Sequence, residues 1–166
     1  MPDLKLTQEK LPLRAAMEAR DGAAVVEAFA PDAVLHSPLT DGLTFTGREQ
    51  IGAVIEVILE VFEEFRYTDE ARTENGAFLV ARAKIGGLDI EMVNHLIFDV
   101  DGQVEQDTVF FRPLPAAAMA LKMIGSGLAR RKGPAWAALL SALSSPLAFM
   151  TRSGDRVGVR LIRAVL

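Results

Sequence analysis

Cysteine is absent from this 166-residue chain. Without it there is neither a disulfide framework nor a thiolate metal site. Histidine is scarce: His36 and His95 are the whole complement. Two are too few for a histidine-rich metal centre, and neither a metal nor an organic cofactor is expected. No uninterrupted apolar run reaches the roughly 18–20 residues of a membrane-spanning helix. Met1-Pro2-Asp3-Leu4-Lys5 places charges where a signal peptide needs an apolar stretch. These absences lead to the expectation of a soluble, cytoplasmic protein. No glycine-rich phosphate loop is present, since Gly86-Gly87 separates two alternating segments as a hairpin turn. Ser37 has no Ser-His-Asp setting around it.

What is present is apolar and unevenly charged. Half of the residues are hydrophobic, and the length suits one domain with an appendage. Residues 1–113 hold 10 Lys and Arg against 21 Asp and Glu, a balance of −11; residues 114–166 hold 8 against Asp155 alone, a balance of +7. An acidic body is followed by a basic, apolar tail, and the two are read as residues 1–114 and 115–166. The tail has little aromatic interleaving, so no nucleic-acid partner is expected.

Hydrophobic period gives the elements. Pro12 opens a short helix to about Arg20, broken by Asp21-Gly22, and a second runs from about Ala23 to Phe29. Ala33 to Ser37 reads as a strand stopped by Pro38, and Thr40-Asp41-Gly42 as a turn. Thr46-Gly47-Arg48-Glu49 has capping-box spacing, with Thr46 as N-cap and Glu49 reaching back. Ile51, Val54, Ile55, Ile58, Val61, Phe62 and Phe65 then follow at helical spacing. After them the period changes to two. Strands are predicted over 66–74, 77–85, 88–98 and 103–112, joined by turns at Asn75-Gly76, Gly86-Gly87 and Asp99-Val100-Asp101-Gly102. Helices followed by an antiparallel meander predict an α+β fold with an apolar pocket between the layers.

Several segments, in this order, carry a family resemblance: Phe29-Ala30-Pro31-Asp32-Ala33-Val34 with His36-Ser37-Pro38; Phe45-Thr46-Gly47-Arg48-Glu49; and Phe98-Asp99-Val100-Asp101-Gly102-Gln103-Val104 leading to Phe110-Phe111-Arg112-Pro113-Leu114. Over roughly residues 8–114 the chain resembles the nuclear transport factor 2-like superfamily, in particular its SnoaL-like polyketide cyclase branch. The resemblance implies a cystatin-like cone: a curved antiparallel meander packed against N-terminal helices, enclosing a pocket for a hydrophobic small molecule. It also implies dimerisation through the outer sheet face and metal-free acid–base chemistry.

The residues do not match every branch. Where ketosteroid isomerases carry an Asp base before the proline after the first strand, this chain has Ser37. Leu13 stands where that branch has a Tyr, and Asn94 where it has a protonated Asp. Arg82 and Lys84 fall where epoxide hydrolases carry an Arg and an Asp. The cyclase branch uses an Asp on the last strand with a His, and Asp107 with His36 or His95 supplies such a pair.

Asp107 and His36 are therefore the candidate catalytic residues. A carboxyl in a half-apolar pocket has a raised pKa; the bland alternative is a solvated strand-end carboxylate. His36 is either a general acid of the pocket or a rim or core histidine. Asn94 either donates to a ligand carbonyl or is satisfied by neighbouring backbone. Met92, Leu96, Phe98, Phe62 and Phe111 complete the candidate ligand-binding set. If Asn94, Leu96 and Phe98 point inward, His95 points outward, towards the dimer face. Arg82 either snorkels or pairs with Glu91.

Pro115 to about Arg131 reads as a helix loosened by Gly125 and Gly127, and Pro134 opens another that Pro146 disturbs. Two roles compete for this tail. It caps the cone, burying Leu121, Ile124, Leu128, Trp136, Leu139, Leu140 and Phe149 while its charges complement the acidic body. Alternatively it is a basic amphipathic surface for anionic lipid or a partner. The capping reading is preferred, because so much exposed apolar surface is an aggregation liability.

Overall fold

The computed structural model describes residues 10–40 and 42–165, with side chains described except at 156–161, 164 and 165. Met1–Lys5 and Asp41 of the predicted turn lie outside the described residues. The chain runs α1 (Pro12–Glu18), α2 (Gly22–Glu27), β1 (Phe29–His36), β2 (Thr44–Thr46), α3 (Gly47–Val61), β3 (Glu63–Arg72), β4 (Gly76–Ile85), β5 (Leu88–Phe98), β6 (Val104–Arg112), α4 (Leu114–Arg130) and α5 (Pro134–Val165).

The sheet has six strands in the order β2-β1-β6-β5-β4-β3. Strands β3 to β6 form the predicted antiparallel meander. The sheet is mixed rather than wholly antiparallel, because β1 lies parallel to β6. A parallel neighbour needs a long crossover, and everything from β2 to β5 supplies it. One sheet face is lined by Ala33 and Leu35 of β1, Ala77, Leu79, Ala81 and Ala83 of β4, Ile90, Met92 and Leu96 of β5, and Val104 of β6. Helices α1, α3 and α4 cover it.

Helix α3 begins as predicted at Thr46, but the Thr46 side chain caps nothing. The reach-back comes from Gln50, whose Oε1 accepts the Thr46 backbone N–H at 3.0 Å. The helix ends at Val61, with Phe62 already extended. Phe62 and Phe65 mimic a helical face because β3 opens with a bulge: the register slips between Glu63 and Arg66, and Glu64 takes φ of 52°. Three-residue spacing then returns to the same side without a helix.

Arginines lock the helices to one another. Arg48 donates from Nε to the Phe29 carbonyl at 2.7 Å and from Nη2 to that of Glu27 at 3.2 Å. Arg20 reaches the carbonyls of Leu59 and Phe62 at the end of α3, where helix carbonyls otherwise lack donors.

Of the first two hairpins in the meander, Gly86-Gly87 uses left-handed backbone, at φ of 54° and 74°. Gly76 does not. It is the first residue of β4, and a Cβ there would lie 2.1 Å from the Leu96 carbonyl oxygen. Close approach of β5, rather than turn conformation, requires glycine at that site.

After β6, α4 packs on α3, β4, β5 and β6, and α5 packs back on α4. Gly127 does not loosen α4: a Cβ there would meet Val57 Cγ1 at 2.4 Å, so its absence is what lets α4 seat on α3. Arg130 bonds both Glu60 carboxylate oxygens at 2.8 and 2.9 Å, and Arg131 bonds Glu56. Pro146 sits inside α5 without ending it, and the helix continues through 156–163. The predicted burial of the tail splits. Leu121, Ile124 and Leu128 of α4 face inward. On α5, Trp136, Leu139, Leu140 and Phe149 are exposed, because α5 packs chiefly on the back of α4.

Candidate functional site

Between the sheet and the helices lies a cavity of roughly 110 Å³, walled almost wholly by apolar side chains. The helices contribute Leu13, Met17, Val54, Ile55 and Ile58; the strands contribute Leu35, Phe65, Met92, Val109 and Phe111; α4 closes it with Leu121, Ile124, Gly125 and Leu128. Phe62 meets Phe111 edge-on at 6.2 Å. Four polar side chains reach this space: Ser37, Tyr67, Asn94 and Asp107. Ser37 is already engaged, its Oγ accepting the Leu39 N–H at 3.2 Å.

Asp107 is the centre of the polar group. It is 2% exposed, the one buried charged residue among those described. Strand alternation turns it inward beside Val109 and Phe111, and parallel pairing sets it level with Leu35 of β1. Burial in apolar surroundings pushes its carboxyl up from 3.8 to about 7, against the opposing pull of Asn94. Asn94 donates from Nδ2 to both carboxyl oxygens, at 2.8 and 3.1 Å. Its amide is thus satisfied by Asp107 rather than by backbone.

Tyr67 was not singled out in the sequence. It is the only tyrosine of the chain, and it stands on β3 at a buried position of an otherwise charged strand. Aromatics at alternate positions, Phe65 and Tyr67, among polar residues were the available signal. Phe65 touches its ring edge-on at 5.0 Å, and the Arg14 guanidinium lies 5.8 Å from the ring centre. Arg14 is itself held by Glu18 and Glu70, each at 3.2 Å. Burial, and then the nearby Asp107 charge, hold the Tyr67 phenol well above its usual value. Its hydroxyl stays protonated across the physiological range and makes no hydrogen bond with the described residues, leaving it free to donate into the cavity.

Three sequence-predicted site residues lie elsewhere. His36 pairs with Thr108, one residue out of phase with Asp107, so it points to the opposite face. There it lines a separate cleft with Thr108 and Phe110, and the expected Asp107–His36 pair does not form. His95 faces outward too, stacked on Phe78 at 4.4 Å, so neither histidine joins Asp107. Leu96 and Phe98 share the inward face of Asn94 but do not line the cavity. Leu96 is fully buried beyond its floor, and Phe98 borders a small cleft with Leu11 and Gln103. Phase was readable; how far along β5 the hollow extends was not. Phe62, Met92, Asn94, Phe111 and Asp107 do converge on it. Arg82 is paired with Glu91 at 2.8 Å on the outer face.

A family model for the SnoaL-like domain matches residues 13–112, the segment that builds this cavity apart from its α4 wall. This chain belongs to the SnoaL-like family. No curated protein matches it in sequence. Solved structures agree on the fold of the SnoaL-like body. A steroid delta-isomerase from Pseudomonas aeruginosa is 23% identical, with a TM-score of 0.62 over 74% of this chain and 88% of that one. A protein with a cystatin-like fold from Silicibacter pomeroyi DSS-3 is 24% identical, with a TM-score of 0.63 over 75% and 87%. An epoxide hydrolase/cyclase-like enzyme with a role in pyran ring formation in the polyether salinomycin is 13% identical, with a TM-score of 0.51 over 60% and 84%.

Proposed function

We propose that this SnoaL-like protein binds a compact hydrophobic molecule and moves a proton on it without a cofactor, as an isomerase or cyclase does. One observation carries the reading: a fully buried carboxyl poised near neutrality at the wall of an apolar cavity, beside a phenol that makes no hydrogen bond with the described residues. Asp107, as carboxylate, accepts a proton from carbon next to a ligand carbonyl. Tyr67 donates a hydrogen bond to the oxygen on which charge develops. Asn94 fixes the carboxyl plane. Protonated Asp107 then returns the proton to a second carbon. The steroid isomerase and the epoxide hydrolase/cyclase-like enzyme among the neighbours support the class of chemistry, although the catalytic positions expected of ketosteroid isomerases are occupied here by Leu13, Ser37 and Asn94.

At roughly 110 Å³ the cavity is smaller than the roughly 300–1,000 Å³ of drug-sized sites. A cavity of this size takes a small ring. Hydrogen–deuterium exchange at the carbon beside the carbonyl of small cyclic ketones, followed by NMR, tests the chemistry. Exchange is expected to rise with pH through about 7, as Asp107 ionises, and to vanish in Asp107→Asn. Tyr67→Phe is expected to slow it by on the order of 10²-fold. Exchange undiminished in Asp107→Asn ends the proposal.

The competing reading, a non-catalytic carrier, rests on Asn94 already occupying both carboxyl oxygens. It predicts ketone binding without exchange. A homodimer through the outer sheet face belongs to the main proposal, because Phe78 and Phe110 stand exposed there. Sedimentation equilibrium of Phe110→Asp against the parent chain tests it, with a monomeric parent counting against it.

A further inference from the structure

Helix α5 is inside out. The face with reduced exposure, turned to α4, carries the small residues Ala137, Ser141, Ser144 and Ala148. The bulky residues Trp136, Leu139, Leu140, Leu143, Leu147 and Met150 recur every three or four positions on the other side, with Phe149 at its edge, and all are exposed. Trp136 is 55% exposed and Phe149 73%. A surface helix of a soluble fold does the reverse, and an apolar patch of this extent marks a contact site.

No charged residue occurs between Lys132 and Arg152. The uninterrupted-run criterion misses this stretch because serines, a proline and a threonine punctuate it. Averaged along the helix, Pro134–Asp155 is long and apolar enough to cross a membrane by length and composition. Four of its five hydroxyls are already satisfied: Ser144, Ser145, Thr151 and Ser153 donate to carbonyls one turn back at 2.6, 2.6, 2.9 and 2.8 Å. Cationic residues flank the stretch on both sides. Arg130, Arg131 and Lys132 precede it, and Arg152, Arg156, Arg160 and Arg163 follow it, against Asp155 alone. Arg130 and Arg131 are committed to Glu60 and Glu56, while Lys132 and Arg152 are exposed.

This charge layout selects the occupant. A second copy laid on the same face brings cations onto cations, whether the two helices run parallel or antiparallel. An anionic surface meets both ends with opposite charge. We propose that α5 docks on an anionic lipid bilayer, lying in the interface with its Trp136–Met150 face among the acyl chains and its basic flanks at the headgroups. The helix lies on the membrane rather than spanning it, because its small-residue face stays seated on α4.

The full-length chain is mixed with vesicles of phosphatidylcholine alone, or containing about a third phosphatidylglycerol, and floated. Trp136 is the only tryptophan, so its emission reports insertion directly. The expected result is flotation with the anionic vesicles, a blue shift of the emission, and weakening by salt. Leu143→Asp with Met150→Asp is expected to reduce partitioning by on the order of tenfold or more. Both residues are exposed, and an unchanged melting temperature verifies that the variant folds. Replacing Arg152, Arg156, Arg160 and Arg163 by Gln is expected to remove the preference for anionic over neutral vesicles. Three results overturn the proposal: no flotation with unshifted emission; equal binding to neutral and anionic vesicles; or self-association through this face, abolished by the Leu143→Asp, Met150→Asp variant, with no partition into lipid.

Discussion

The SnoaL-like body and helix α5 are both rich in large apolar side chains, and they dispose of them in opposite ways. In the body Phe29, Ile51, Leu79, Ile90 and Leu96 are sealed from solvent. In α5 Trp136, Leu139, Leu143 and Phe149 face out while Ala137, Ser141, Ser144 and Ala148 face in. Helix α4 stands between these regimes. One side closes the cavity with Leu121, Ile124 and Leu128, and its back receives α5. A basic, apolar tail is therefore two things in succession, a wall for the cavity and a surface for something else. Composition merges them because it counts side chains without their directions.

The largest effect that sharpens this contrast comes from truncation. A chain ending after Arg131 loses only α5 and is expected to keep a cooperative melt close to the parent's. A chain ending after Pro113 also loses the apolar wall of α4, on the order of 5 kcal/mol or more of burial. Set against a total stability of about 5–15 kcal/mol, that loss is expected to unfold or aggregate the body. Equal melting of the two truncations breaks the distinction between α4 and α5.

Next in size is the buried carboxyl. Folding holds Asp107 at about 7 against 3.8 when exposed. The folded state binds the proton more tightly, so stability is lost as pH rises from about 4 to about 7 and stays low above that. Asp107→Asn removes the charge while keeping the shape. It is expected to be more stable than the parent by ~2–4 kcal/mol at pH 8, with the difference closing below pH 4, as urea titrations at the two pH values measure. A stabilising substitution that also abolishes turnover marks a group retained for function rather than for the fold.

A smaller pair of opposite signs tests the seating of α4. Gly127→Ala forces its Cβ against Val57 and is expected to cost about 1–2 kcal/mol even after the gain in helix propensity. Gly125→Ala has open space and is expected to gain about 0.5–1 kcal/mol. Thermal melts of the two variants read the signs. The smallest effect belongs to Arg130→Ala. Its bond to Glu60 joins two half-exposed groups, so a change of about 0.5 kcal/mol or less is expected in the same melts.

Most of the architecture was legible because period and punctuation agree. The meander was read within a few residues from alternation plus Gly86-Gly87 and the Asp99 turn, where Asp99 Oδ1 accepts N–H groups of Asp101 and Gln103. The errors share a physical origin. The bulge at Glu64 gave Phe62 and Phe65 a helical rhythm. Gly76 was read as turn chemistry when its reason is a carbonyl of β5, distant in sequence. In the site, alternation set Asn94 and His95 on opposite sides of β5 but did not say which of them faces the cavity. The partner of Asp107 was misjudged because registering β1 on β6 requires knowing that they lie parallel, and no local signal encodes that. Tyr67 was missed because its neighbours are charged and its burial comes from α1, through Arg14 and Leu13.

That parallel pairing also governs when the site can come into being. Leu35 and Asp107 sit side by side across the sheet although more than seventy residues separate them along the chain. Bringing such distant segments together is slow compared with forming the local hairpins between β3 and β6. During synthesis the first half of the polypeptide has no acid to enclose and no floor to enclose it with. The chamber closes only after β6 has threaded in beside β1, and α4, the next element to emerge, completes a wall around residues that lie far apart along the chain.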